Sequence, residues 1–266
     1  MIEMFSSDFM QKALLVGTVV SLISGFVSTF VVLRKMSFIG AGISHAAFGG
    51  VAVGFFTGIN PTLTAIVYSI AVALGIDFVT RKGRVSSDTS IGIFFASSMA
   101  LGIVLISLSR EYTIDLFGYL FGNILAITRG EVLLSVFVGV SVIGIILLFL
   151  KEIFITTYTE EIARVSGIPV RTVNIIFLLV LSISIVISMK IVGIILISAL
   201  LVIPGATAQL FAKNLYFMLA ISCGVAVTST VLGLVLSYQF DIAPGGSIVL
   251  TATAIFLVAL IFRRKR

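Results

Sequence analysis

Charged residues are scarce in this chain. Only 11% of the 266 residues are Asp, Glu, Lys or Arg, whereas 59% are hydrophobic, and the mean hydropathy is +1.28. Soluble domains carry about 25% charged residues. A water-soluble fold of this size would therefore have too little polar surface to cover its core. The composition excludes the soluble classes and predicts a membrane protein.

Residues that carry out enzyme chemistry are scarce as well. The sequence has one histidine and one cysteine, so it contains no HExxH zinc motif and no intrachain disulfide. A GxxxxGK[ST] phosphate-binding loop is absent, and so are paired aspartates within the apolar runs. A dyad of Ser44 and His45 is unfavourable because adjacent helical residues point about 100° apart. These absences argue against an enzyme.

Long apolar runs are what the sequence does contain. About 20 apolar residues cross the hydrocarbon layer as a helix, and nine runs of suitable length predict nine spans: 12–33, 42–58, 61–80, 89–108, 131–150, 172–189, 191–211, 215–237 and 245–262. The segment 112–128 is shorter and more polar, and we interpret it as re-entrant or peripheral. The predicted fold is an all-α, polytopic membrane helix bundle, with residues 1–266 forming a single transmembrane domain.

Basic residues cluster at the ends of these runs. If the C-terminus is cytoplasmic, thirteen of the seventeen Lys and Arg residues face the cytoplasm, as the positive-inside rule requires. These are Arg34, Lys35, Arg81, Lys82, Arg84, Lys151, Arg164, Arg171, Lys213, Arg263, Arg264, Lys265 and Arg266. Lys12, Arg110, Arg129 and Lys190 then lie outside, and 112–128 does not cross. The net charge of +6 therefore indicates membrane orientation, not nucleic-acid binding.

The second run contains the histidine, His45. Small residues recur there every four positions and predict close packing against neighbours on more than one side; they are Gly42, Ala46, Gly50, Gly54 and Gly58. His45 follows Gly42 by three residues, which places it on a seam between helices. An ionisable residue within a span is a functional-site hypothesis because it is costly to bury. Two interpretations stay open: a ligand for a passing ion, or a packed histidine bonded to serine hydroxyls of adjacent helices.

The longest polar stretch is 151–171. Within it Thr159 opens a short amphipathic helix that carries Ile162 and Val165, and Gly167 is the predicted stop. Such a helix could lie on lipid headgroups or dock into a cytoplasmic partner.

Three other positions receive structural interpretations. Asp77 is expected to pair with Arg81 one helical turn away. Asp88, in the sequence SSDT, is interpreted as a helix cap. Pro204 is expected to kink or end the run ILISALLVIPGATAQ, because proline lacks an amide proton and its ring clashes with the preceding turn.

Four segments in order resemble the permease subunits of ABC transporters that import zinc, manganese or iron. They are FVVLRKMSFIGAGISHAAFGGVAVG, with the family's Ser-His-Ala, SSDTSIGIFFA, with its Asp-x-x-Ile-Gly helix start, EEIARVSGIPVR, similar to its coupling segment, and VGIILISALLVIPGATAQL, similar to its Ala-Leu-Leu-x-x-Pro stretch. The resemblance runs along nearly the whole chain.

The resemblance implies a homodimer in the cytoplasmic (inner) membrane, two cytoplasmic ATPase subunits and an extracytoplasmic metal-binding protein. His45 matches the histidine that meets the metal in the translocation path. The ATPase-coupling residues are matched by Glu160, Glu161, Ala163, Arg164 and Gly167. No permanently bound cofactor is implied, since the metal is cargo.

Two positions depart from the family pattern. Ala41 stands where many relatives carry an acidic residue four positions before the histidine, and Asn123 replaces the acid of Phe-Gly-Asp. A lone imidazole favours zinc over the carboxylate-seeking manganese, so zinc is the expected ion and manganese or iron the alternative. Rival hypotheses are a metal-chelate (siderophore or corrinoid) ABC permease, an ion-coupled carrier and a membrane scaffold.

Overall fold

The computed structural model describes residues 8–83, 85–108, 122 and 127–264. Regular structure in these ranges is helical throughout, which confirms the all-α prediction. Eleven helices follow one another in these ranges: α1 (Asp8–Leu33), α2 (Ile39–Thr57), α3 (Pro61–Gly83), α4 (Ser87–Leu108), α5 (Arg129–Leu148), α6 (Leu150–Tyr158), α7 (Glu160–Val165), α8 (Val170–Leu200), α9 (Ile203–Phe211), α10 (Leu215–Phe240) and α11 (Pro244–Arg264). The predicted segment 112–128 lies almost entirely outside the described residues.

Eight helical stretches of the described chain are long and apolar enough to cross a membrane, which confirms a polytopic bundle. The count differs from the predicted nine because 172–189 and 191–211 fall within one stretch of 42 residues, Val170–Phe211. That stretch is not one straight helix. Its backbone at Gly193 has φ 83° and ψ 163°, a conformation that belongs essentially to glycine.

The contacts of α8 show that the chain reverses direction at Gly193. Asn174 hydrogen-bonds at the end of the bundle where α1 finishes. Lys190 forms an ion pair at the opposite end, where α5 begins. Ser198 lies 3.3 Å from Ser44, close to the start of α2 and so back near the first end. The two apolar runs predicted on either side of this glycine therefore point in opposite directions.

The bundle has two chemically different ends. We call the basic end the one that holds Arg34, Arg81, Lys151 and Lys213, which line cavities where α1 and α3 finish. The opposite end holds the Lys190 ion pair. The predicted division of these charges between the two ends matches their positions in the fold.

Two helix ends show how local chemistry divides the chain. The side chain that caps α4 is Ser86, whose Oγ accepts from the amide of Thr89 at 3.1 Å, whereas Asp88 lies in the first turn. The cap predicted at Asp88 is thus two residues too late. Pro204 lies in the first turn of α9, so the predicted break is present as a new helix start, where proline's missing amide costs nothing.

Candidate functional site

Helix α2 is held by close backbone contacts on two sides. A Cβ atom at Gly50 would lie 2.7 Å from Ala65 Cα in α3, and one at Gly49 would lie 2.7 Å from the Ser98 carbonyl oxygen in α4. The predicted packing of the second span on more than one side is therefore confirmed. Gly58 is the exception: it ends α2 with φ 72°, and a Cβ there would meet no atom of the described residues within 4 Å.

His45 projects from this central helix with one ring nitrogen occupied. Its Nδ1 lies 2.9 Å from the carbonyl oxygen of Ala41, one turn earlier. A carbonyl oxygen only accepts, so Nδ1 carries the proton and donates it, which leaves the Nε2 lone pair free in the neutral ring. The ring is partly exposed and packs against Phe95 of α4, with centroids 4.6 Å apart.

The serine hydroxyls do not satisfy the ring as the packing interpretation supposed. Ser44 donates to the carbonyl of Ala41 at 3.1 Å and approaches Ser198, not the imidazole. Within the described part of the chain Nε2 has no hydrogen-bond partner. Metal-binding histidines usually donate their second ring N–H to a carbonyl or carboxylate. The backbone of Ala41 thus does for this ring what a neighbouring carboxylate would do.

A resident metal cage is absent from this region. No group of three or more His, Cys, Asp and Glu side chains that could hold a metal occurs among the residues the structure describes. Asn123, the other departure from the family pattern, lies outside them. The arrangement at His45 can offer one nitrogen ligand to an ion, which allows weak and transient binding.

A second site lies at the basic end, where a cavity of about 340 Å³ separates α1, α3, α6 and α8. Arg34 is its central cation. Its guanidinium donates to Thr157 Oγ1 at 3.1 Å, to Thr156 Oγ1 at 3.2 Å and to Asn174 Oδ1 at 2.8 Å. It also stacks over the Phe177 ring, 4.2 Å from the centroid. Burial lowers the pKa of Arg34 to about 10, so it stays charged at neutral pH.

The same network reaches the short helix α7 through Glu160. The Asn174 amide donates to Glu160 Oε1 at 3.5 Å, and Arg81 lies 3.6 Å from that oxygen. Arg164 pairs with Glu160 at 3.4 Å on the exposed side. Arg81 also bonds Asp77 at 2.8 Å, which confirms the predicted pair. A chain of polar contacts therefore connects α7 to the ends of α1, α3 and α8.

The five predicted coupling residues divide by position. Ala163 is fully buried and Glu160 faces the Arg34 cavity, so both attach α7 to the bundle. Glu161 and Arg164 are exposed. Gly167 has φ 77° and ends the helix as predicted: its amide bonds the Arg164 carbonyl at 3.0 Å.

The apolar face of α7 is uncovered in this chain. Ile162 is 60% exposed and Val165 is 91% exposed. Sequence reasoning identified this face but missed the Arg34 network, because Arg34 looked like one more orientation charge. The available signal was Asn174, an amide in an otherwise apolar run, since a buried amide needs hydrogen-bond partners.

Fold and site together define a polytopic helical membrane protein with a charged network beneath an exposed helix and, within the described ranges, an imidazole nitrogen that has no hydrogen-bond partner. The model of the ABC 3 transport family matches residues 6–263. The chain therefore belongs to this family and is a transport permease subunit.

Similar proteins agree with this assignment. The chain is 38% identical over 259 residues to the manganese transport system membrane protein MntC of Listeria monocytogenes, covering 97% of this chain and 92% of that one. It is 36% identical over 210 residues to the high-affinity zinc uptake system membrane protein ZnuB of Haemophilus influenzae, covering 78% and 79%. The solved structure of PsaBC from Streptococcus pneumoniae in complex with Fab is similar at TM-score 0.86 and 39% identity, covering 97% of this chain and 93% of that one.

Proposed function

We propose that this chain is the permease of an ATP-driven importer of a divalent transition-metal ion, zinc or manganese, and that His45 contacts the ion as it passes. The observation that carries the proposal is the oriented imidazole, whose Nδ1 donates to the Ala41 carbonyl at 2.9 Å while Nε2 has no hydrogen-bond partner among the described residues. An importer has to release its ion, so a single nitrogen ligand suits conduction better than a closed cage.

The identity of the ion has support in both directions. A nitrogen ligand without a described carboxylate beside it favours zinc, because manganese prefers oxygen ligands. More of the proteins similar to this chain are named for manganese, as MntC is, than for zinc, as ZnuB is. Direct competition between the two ions is the experiment that decides.

The proposed assembly is a homodimer with two ATPase subunits at the basic end and a metal-binding protein at the opposite end. The basic end is then cytoplasmic, as is the C-terminus, in accordance with the positive-inside rule. The apolar face of α7 is the proposed ATPase contact, since Ile162 and Val165 are exposed although the helix is anchored by Ala163. ATP hydrolysis belongs to the partner, and no nucleic acid is involved.

Uptake by the reconstituted transporter tests the role of His45. His45→Ala is expected to lower ATP-dependent uptake of radioactive zinc or manganese by at least about tenfold, the scale on which loss of a residue at a metal site acts. The ATPase should still co-purify. Ser44→Ala is the matched control, because it removes a neighbouring donor to the same carbonyl. Normal uptake by His45→Ala would remove this residue from the mechanism. In a separate competition with the wild-type transporter, the unlabelled ion, zinc or manganese, that blocks uptake of the radioactive ion at the lower concentration identifies the cargo.

Association with the ATPase tests the exposed face of α7. Val165→Asp should reduce co-purification of the ATPase because it places a charge on the apolar face, whereas Val165→Leu should leave association intact. Because Val165 is 91% exposed, both substitutions should leave the contacts of Glu160 with Asn174 and Arg81 and the burial of Ala163 unchanged. Equal ATPase recovery from the two variants would contradict the docking assignment.

A further inference from the structure

Two adjoining cavities on the outside of the bundle are not used by the transport mechanism. The larger, about 970 Å³, lies at the basic end between α6 and the connection from α9 to α10. The smaller, about 420 Å³, runs along α1, α5 and α10 towards the middle of the bundle. Leu147, Leu150 and Tyr216 line both, so the two cavities adjoin each other. We call them the head cavity and the tail groove.

The head cavity is polar at its mouth. Lys151 and Lys213 line it, and both are exposed. Tyr158 and Tyr216 stand at its edge, 69% and 73% exposed. Lysine and tyrosine at the end of a membrane helix are typical of the headgroup region, where a phosphate finds its counter-charges.

Glu152 adds one acidic group to the same cavity. Its Oε2 is buried and has no hydrogen-bond partner in the ranges described. A buried carboxylate oxygen without a donor is costly. The cavity therefore presents two cations, one anion and, at Glu152 Oε2, a hydrogen-bond acceptor that lacks a donor among the described residues.

The tail groove is apolar. Leu22, Phe26 and Ile143 form its walls, and Cys223 lies in its lining. A groove of this chemistry that leads from a charged cavity into the membrane has the form of an acyl-chain site. It lies against α1, α5 and α10, away from His45 on α2.

We propose that the head cavity and tail groove together bind one anionic phospholipid whose headgroup carries a hydroxyl, of the phosphatidylglycerol type. Its phosphate lies between Lys151 and Lys213, its headgroup hydroxyl donates to Glu152, and one acyl chain fills the tail groove. The two lysines, the glutamate and the phosphate then sum to zero charge. Phosphatidylcholine, which is zwitterionic and has no donor, does not meet these conditions.

Lipid titration of the full-length protein in detergent, followed by native mass spectrometry, tests the head cavity. Phosphatidylglycerol should bind more tightly than phosphatidylcholine. Lys151→Ala/Lys213→Ala should weaken binding about 10–30-fold, since each lysine near an anionic lipid contributes on the order of fivefold. Lys35→Ala/Lys82→Ala is the matched control, because it removes two exposed cations of the same end that do not line the cavity. Equal loss in the two double variants would show diffuse attraction and overturn the site.

Cys223 supplies an independent readout for the tail groove. It is the only cysteine of the sequence, so its rate of reaction with a membrane-permeable maleimide reports that groove alone. Phosphatidylglycerol should slow the reaction at least about threefold, and Ala220→Phe, which fills the groove, should weaken lipid binding. Ala254→Phe on the exposed face of α11 is the control. The proposal fails if the ATPase, and not lipid, slows the reaction of Cys223. It fails likewise if loss of the two lysines weakens binding of the ATPase and not of lipid. Either result would identify the surface as a protein interface.

Discussion

The surroundings of α2 and the basic end are held together in different ways. Around α2 the backbones themselves come into contact, as at Gly50 and Ala65. At the basic end the helices are joined through side chains, with Arg34, Asn174 and Glu160 spanning a cavity. Close backbone packing has little freedom to adjust, whereas a polar network can exchange partners. The helix that presents His45 is thus fixed, and the region beneath the proposed ATPase contact can rearrange.

The largest expected effect is at the rigid region. Gly50→Ala would place a methyl group 2.7 Å from the Ala65 Cα. Because this neighbour is a backbone atom, the clash can be relieved only if α3 moves. Overpacking of this kind costs about 1–3 kcal/mol or more, and we expect a clear fall of the melting temperature in detergent. Gly92→Ala in α4 is the control, because a Cβ there meets nothing within 4 Å. If the two variants melted alike, close backbone packing would not be what holds α2.

The reversal at Gly193 should be next in sensitivity. Its φ of 83° and ψ of 163° are strained for any residue with a side chain, at about 1–3 kcal/mol. The turn also has little room, since a Cβ at Gly122 would clash with the Gly193 nitrogen. Gly193→Ala is expected to destabilise the protein, with Gly144→Ala on α5 as the control in open space. An unchanged melting temperature for Gly193→Ala would mean that the reversal does not depend on a conformation reserved for glycine.

The basic end offers a charge-conserving test. Arg34→Lys keeps the positive charge but cannot reach Thr156, Thr157 and Asn174 together, because lysine lacks the planar fork. The unsatisfied acceptors should cost about 1–3 kcal/mol, seen as a lower melting temperature and weaker coupling of ATP hydrolysis to uptake. Lys35→Arg at the exposed neighbouring position should be neutral. Wild-type stability and coupling in Arg34→Lys would show that charge alone matters.

The features that could be predicted from the sequence follow the same division between α2 and the basic end. The packing of α2 was predictable because every fourth residue is small, a pattern that depends on helical period alone. The Asp77–Arg81 pair was predictable for the same reason, since both residues lie on one helix. The internal contacts of Glu160 were not predictable in this way, because its partners Asn174 and Arg81 come from distant segments. The periodicity of one helix can be recognised in the sequence, whereas contacts across the bundle depend on the fold.

The orientation of His45 falls between these cases. The sequence predicted that it lies on a helix seam, and the structure places it beside α4 with Phe95 against its ring. The sequence could not show that the Ala41 carbonyl accepts a hydrogen bond from Nδ1, because every residue type has a backbone carbonyl.

The smallest expected effect is at the opposite end, and it tests whether ion pairs there resemble the basic-end network. Lys190 and Glu131 pair at 2.9 Å, with side chains 41% and 25% exposed. A pair this accessible to solvent should contribute about 0.2–1 kcal/mol, measured as the coupling energy of a double-mutant cycle with Lys190→Met and Glu131→Gln. Glu131 also takes part in the capping box of α5 with Thr128, so Glu131→Gln alone should cost more than Lys190→Met. A coupling energy well above this range would mean that the pair is shielded in the assembled transporter, where the proposed metal-binding protein or the second permease covers it.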